Sequence, residues 1–216
     1  GLGEYLSEAG LNRARVHVEV EWLIYLTDHE LFGSKRLEPQ QASRLRELAA
    51  NFGQPEIDEL AGLEATTRHD VKAVEYLVRG KLTQLGLGGI AELTHFACTS
   101  EDINNLSYAL TIGAAVRELW LPRFRGVIEL LRARAIAHRA DAMLAHTHGQ
   151  PATPTTVGKE LAVFVARLER LVSQIESTEY LGKFSGATGT FAAHVAADAS
   201  QDWPAMSREF VTSLGL

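Results

Sequence analysis

The sequence is short of several things, and each shortage excludes a class of protein. It has one cysteine, Cys98, which cannot close an internal disulfide; a stapled secreted scaffold is excluded, and a reducing compartment, the cytoplasm, is the expected setting. No apolar run is long enough for a membrane-spanning helix, and Gly1-Leu2-Gly3-Glu4 lacks the basic and apolar regions of a secretory signal. No membrane partner is expected. Basic residues number 21 against 27 acidic ones, a formal net charge of -6, which is not built to neutralise phosphodiester backbones and argues against nucleic acid. Strand signals are scarce, with no recognisable alternating β-branched run between hairpin turns. Residue 1 is not methionine, and both ends read as trimmed.

What is present is helical periodicity in a chain of 216 residues with 46% hydrophobic content, enough for a substantial core. Val16, Val20, Leu23, Ile24 and Leu26 follow the spacing of one buried helical stripe and predict a helix over about 11–29. Pro39 opens a second through Leu45 and Leu48, Ile57, Leu60 and Leu63 a short third, and Val71, Val74, Leu77 and Val78 a fourth. From Asp102 to about His138 the pattern is helical again, with Pro122 as a kink or short break. The segment 140–154 reads as an ordered connection into a helix over about 155–180, with Leu161, Phe164, Val165, Leu168, Leu171, Val172 and Ile175 as its buried face. A last helix is expected to start near Trp203-Pro204. The fold class is therefore all-α, with a small helical N-terminal domain over residues 1–98 and the first part of a long-helix bundle over residues 99–216.

Four local features can carry chemistry, and each has a structural alternative. In Thr66-Thr67-Arg68-His69-Asp70, Thr67 or Asp70 can cap the helix that follows, with His69 on its surface; equally, Arg68, His69 and Asp70 set a cation, an imidazole and a carboxylate side by side, which suits an anionic substrate. Thr99-Ser100-Glu101-Asp102 fits a capping box and also a carboxylate site of backbone N–H groups and two hydroxyls. In His146-Thr147-His148-Gly149-Gln150-Pro151 no third ligand supports a metal, whereas His148 in a stiff loop suits proton transfer, with Gln150 as an orienting amide. Lys183-Phe-Ser-Gly-Ala-Thr-Gly-Thr190 has its lysine ahead of the glycines and no preceding strand, so it is not a P-loop and reads as a helix-ending turn. Gly86-Leu-Gly88-Gly-Ile-Ala91 lacks the strand and acidic residue of a dinucleotide fingerprint and is set aside.

Taken together, Thr66-Thr-Arg-His-Asp-Val-Lys-Ala-Val-Glu-Tyr76, His95-Phe-Ala-Cys-Thr-Ser-Glu-Asp-Ile-Asn-Asn105 and Thr147-His-Gly-Gln-Pro-Ala-Thr-Pro154 resemble bacterial adenylosuccinate lyase, of the fumarase and aspartase superfamily. The resemblance extends over nearly the whole chain and corresponds to roughly the front half of such an enzyme. It implies a C–N lyase of purine biosynthesis that needs no cofactor and no metal, splitting adenylosuccinate into AMP and fumarate, and the succinylated ribotide SAICAR into AICAR and fumarate. It implies His148 as general acid, Thr99 and Ser100 as the pair binding a succinyl carboxylate, and Arg68, His69, Asp70 and Gln150 as substrate contacts. Arg68 stands where relatives often carry asparagine, and His146 where they often carry arginine. The resemblance further implies a homotetramer with shared sites, a catalytic base carried on a loop outside this chain, and no turnover by these residues alone. Another fumarate-releasing lyase, such as one acting on argininosuccinate, or a non-catalytic helical interaction module are the alternatives.

Overall fold

The computed structural model describes residues 1–216. Its residues form two compact units, Gly1–Gly113 with Tyr180–Leu216, and Ala114–Glu179.

The first unit is built around one helix. After a single turn, α1 (Gly3–Leu6), comes α2 (Glu8–Asp28), which starts three residues earlier than its apolar stripe suggests because the Ser7 hydroxyl accepts the Gly10 N–H at 3.1 Å. Val16, Val18, Val20, Trp22, Leu23, Ile24 and Leu26 are all buried, so α2 is surrounded and its single-stripe reading is too narrow. α3 (Pro39–Ala50) and α5 (Asp70–Gln84) pack on it, and α4 (Gln54–Thr67) packs on α5. Then follow α6 (Ser100–Ala114) and, after the second unit, α9 (Ala192–Ala197) and α10 (Trp203–Ser213). Pro39 sits in the first turn of α3 and Pro204 in that of α10, where the missing N–H costs no hydrogen bond. α5 contributes Val71, Val74, Leu77, Val78 and Leu82 to the core, and α10 contributes Trp203, Met206 and Phe210. Trp22 packs on Phe184 and Phe210 at ring-centroid distances of 4.5 and 5.0 Å.

The second unit is a helical pair joined by a hairpin. A π-helical segment, Ala115–Trp120, leads into α7 (Leu121–Ala137). No break occurs at Pro122: the proline lies in the first turn of α7, and the wider π ladder before it absorbs the lost donor. The connection to α8 (Val157–Glu176) contains two strands, β1 (Ala142–Thr147) and β2 (Gln150–Thr156), paired antiparallel with Thr147 opposite Gln150 and a register shift between Leu144 and His146. The ordered connection expected at 140–154 is thus a hairpin. Two-residue hairpins of this kind need positive φ at both turn positions, and His148 and Gly149 supply 49° and 75°. The prolines at 151 and 154 hid the pattern, because proline normally argues against a strand.

α7 and α8 bury Leu121, Ile128, Val165 and Val172 between them, and the ion pairs Arg125–Glu176 and Arg132–Glu169 flank the seam. One partner helix covers only part of a wide stripe. Phe164 and Leu171, expected on the buried face, are 55% and 48% exposed within the unit. At the base of the hairpin Gly158 lets the helices touch: a Cβ there would lie 2.3 Å from the Ala135 carbonyl oxygen.

Candidate active site

Three chain segments converge in the first unit. α4 ends at Arg68, whose left-handed backbone (φ 52°) turns the chain and whose side chain is exposed. His69 then caps α5, its Nδ1 accepting the Lys72 N–H at 3.2 Å. The cap is thus the histidine, neither Thr67 nor Asp70; Thr67 instead donates its hydroxyl to the His69 carbonyl at 3.1 Å. A ring nitrogen that accepts carries no proton, so capping selects the tautomer with hydrogen on Nε2. That Nε2 lies 3.5 Å from the Ser100 hydroxyl, at the outer limit of a hydrogen bond.

Asp70 follows at the first position of α5. One oxygen accepts the Val71 N–H at 2.8 Å and the other the Arg15 guanidinium at 2.6 Å. Partial burial would push its carboxyl up, but these two partners outweigh it and hold it below the usual aspartate value. Arg15 is almost wholly buried and also donates to Asn12 at 2.8 Å and to Asn104 at 2.9 Å. One planar cation therefore ties α2, α5 and α6 together beneath the site.

The start of α6 is fixed by Asp102, which is completely buried. Its Oδ2 accepts the N–H groups of Thr99 at 2.9 Å and Gly186 at 3.0 Å; its Oδ1 accepts Lys183 Nζ at 2.7 Å and the Ser185 N–H at 3.0 Å. The reach-back half of a capping box is present, and the same carboxylate does a second job. Asn105 adds a two-way clasp, accepting the Lys183 N–H at 2.7 Å and donating to the Lys183 carbonyl at 2.8 Å. Residues 183–186 consequently form a strap across the N-terminal turn of α6. They do not end a helix, since α8 stops at Glu176.

Upstream of Thr99 the chain takes two left-handed residues, His95 (φ 57°) and Ala97 (φ 58°), a strain of order 1–3 kcal/mol each that the surroundings must support. His95 is paired with buried Glu19 at 2.6 Å. Burial alone would lower the imidazole, but the hydrogen bond and charge of Glu19 outweigh it and raise it above 6.5.

His148 and Gln150 belong to the second unit. His148 is exposed in the hairpin turn, and Gln150 begins the returning strand. The base of the hairpin is anchored through Gly158 N–H to the His138 carbonyl at 2.9 Å and Val157 N–H to the Asp141 carbonyl at 3.0 Å.

Of the residues expected in a site, His69, Asp70 and Ser100 are brought together with Thr99 adjoining. Asn12, Arg15, Glu19, Asn104 and Lys183 were missed. For the first three a signal existed: polar residues at 12, 15 and 19 fall at helical spacing on the same face as apolar core positions of α2, and polar groups so placed are buried and paired. The Lys183 contact spans 81 residues and has no local signature.

Hydroxyls, an imidazole and backbone donors gathered at helix starts suit an anionic ligand. The chain matches the lyase family over residues 7–215 and belongs to it. It is 44% identical over 212 residues to adenylosuccinate lyase of Escherichia coli K12, covering 97% of this chain and 46% of that protein. Identity to adenylosuccinate lyase of Haemophilus influenzae is 43% over the same shares. The chain thus spans about half the length of the curated relatives it matches. Among solved structures, a fumarate lyase from Mesorhizobium sp. BNC1 superimposes with a TM-score of 0.79 at 23% identity, over 100% of this chain and 48% of that one, a likeness of fold.

Proposed function

We propose that this chain is the front half of an adenylosuccinate lyase. It acts in purine nucleotide biosynthesis, releasing fumarate from adenylosuccinate to give AMP and from SAICAR to give AICAR. The identity to adenylosuccinate lyases along the whole chain, 44% for the E. coli enzyme, carries this reading.

In the reaction a base takes the proton next to a succinyl carboxylate, the resulting dianion collapses to fumarate, and the C–N bond breaks as its nitrogen is protonated. His148 is assigned as the acid that supplies this proton. Thr99 and Ser100 are assigned to the carboxylate that gains charge, where a helix start and two hydroxyls favour an anion. His69 is assigned beside them through its Nε2–H, with Asp70, Arg68 and Gln150 as further substrate contacts. The His69 assignment rests on the 3.5 Å approach to Ser100; both Asp70 oxygens are already engaged, by the Val71 N–H and by Arg15. The base is assigned to the part of the enzyme outside this chain, and no metal or cofactor is required.

We further assign the enzyme to the cytoplasm, as a homotetramer with sites shared between subunits, and place the boundary of its first domain near Cys98. The exposed Leu130, Phe164 and Leu171 of the second unit favour assembly, since a monomer would leave that apolar surface in water. No helix is long and apolar enough to cross a membrane.

The test is fumarate release by the full-length protein offered adenylosuccinate, SAICAR and argininosuccinate in parallel. Turnover of the first two supports the reading. Turnover of argininosuccinate alone, or of none, contradicts it.

A further inference from the structure

Glu19 is a fully buried carboxylate with no part in the elimination as assigned above, and both its oxygens are engaged by one residue. Oε1 accepts from His95 Nδ1 at 2.6 Å and Oε2 accepts the His95 backbone N–H at 3.0 Å. One turn along the same helix, the Trp22 indole N–H donates to the Phe96 carbonyl at 3.0 Å. Between them these contacts grip a segment whose backbone is left-handed at His95 and Ala97, a conformation that non-glycine residues hold only when the surroundings impose it. The Cys98 N–H closes back on the His95 carbonyl at 3.2 Å, and Thr99 follows at once.

We propose that Glu19 is a positioning residue of the elimination site, acting through His95 and the strained turn to aim Thr99 and Ser100 at the substrate carboxylate. The role rests on the proposed function. A carboxylate that accepts from both the side chain and the main chain of one residue fixes its orientation as well as its place. An amide has a single accepting oxygen and would turn its own N–H toward a donor. Lys72 and Glu75 of α5 also act electrostatically on His95, the first opposing its positive charge and the second favouring it.

The experiment is a double-mutant cycle in the full-length protein, read as kcat/KM for fumarate release from adenylosuccinate. Glu19→Gln is expected to lower it by about 10- to 100-fold, the scale of a small misplacement of catalytic groups. Thr99→Val lowers it as well. Because Glu19 acts through the cradle, the double variant falls within about twofold of the poorer single one. A folded Glu19→Gln enzyme with unchanged kcat/KM, or losses that multiply, would overturn the proposal. Should Glu19→Gln not fold, Trp22→Phe keeps an aromatic ring in the core and removes the indole donor to Phe96 along with part of the ring volume; in a variant that folds, a severalfold loss that fails to multiply with Thr99→Val supports the role, and no loss or a multiplying one overturns it. Absence of fumarate release by the unaltered protein is a separate outcome, which removes the proposed function and this role with it.

Discussion

His69 Nε2 stands 3.5 Å from the hydroxyl of Ser100 although 31 residues separate the two in sequence. Both sit at helix starts, and the helices that begin there are locked together by Arg15 beneath them. The ring and the hydroxyl therefore face each other directly, at the outer limit of a hydrogen bond.

Arg15→Met is expected to release that lock. It strips Asp70, Asn12 and Asn104 of their shared donor and leaves partly buried acceptors unpaired, a loss of about 2–4 kcal/mol in unfolding free energy. The urea midpoint of the full-length protein reports it. An unchanged midpoint means the three contacts contribute nothing.

Asp102→Asn attacks the strap. The amide keeps one acceptor where four donors converged, and Lys183 loses its charge partner. A loss of about 2–4 kcal/mol follows, together with faster proteolysis near residues 183–190. Retention of wild-type stability would remove Asp102 as the organiser of this region.

Two histidines make stability depend on pH in opposite senses. His95 is raised above 6.5 by Glu19, so its contribution is complete below 6.5 and is lost as pH climbs through the raised value. His194 is buried against Trp203, Phe191, Phe184 and Trp22 with neither ring nitrogen hydrogen-bonded, and burial lowers it. Its depressed value makes the fold lose stability as pH falls below 6.5, because the unfolded chain then takes up a proton that the core refuses. Urea midpoints from pH 5 to 8 measure both limbs. Glu19→Gln should flatten the alkaline limb and His194→Phe reduce the acid one, which burial of His17 also feeds; parallel profiles for variant and wild type would refute the assignment.

Gly158→Ala places a methyl group against the Ala135 carbonyl oxygen and the Arg139 backbone, which cannot yield as a flexible side chain would. We expect a loss of about 1–3 kcal/mol, seen as a lower thermal midpoint. A neutral effect would show that α7 and α8 separate at no cost.

Much of this was legible in the sequence. Pro39, Trp203 and the apolar spacing from Val71 to Val78 announce their helices because caps and stripes are local signals. The motif runs at 66–76, 95–105 and 147–154 point to the lyase family. Two kinds of feature were not legible. The hairpin at 142–156 is carried by a His-Gly turn and prolines rather than by alternation, so it reads as a connection. The pairings Arg15–Asp70, Glu19–His95 and Asp102–Lys183 join residues 55, 76 and 81 positions apart, and only tertiary packing brings them together.

The most direct test is fumarate release from adenylosuccinate by His148→Asn in the full-length protein. Asparagine tolerates the positive φ that this turn position requires, so the hairpin persists while the proton donor is gone. A fall in kcat of about 10²- to 10⁴-fold with the hairpin intact is expected. A rate close to that of the unaltered enzyme would contradict it.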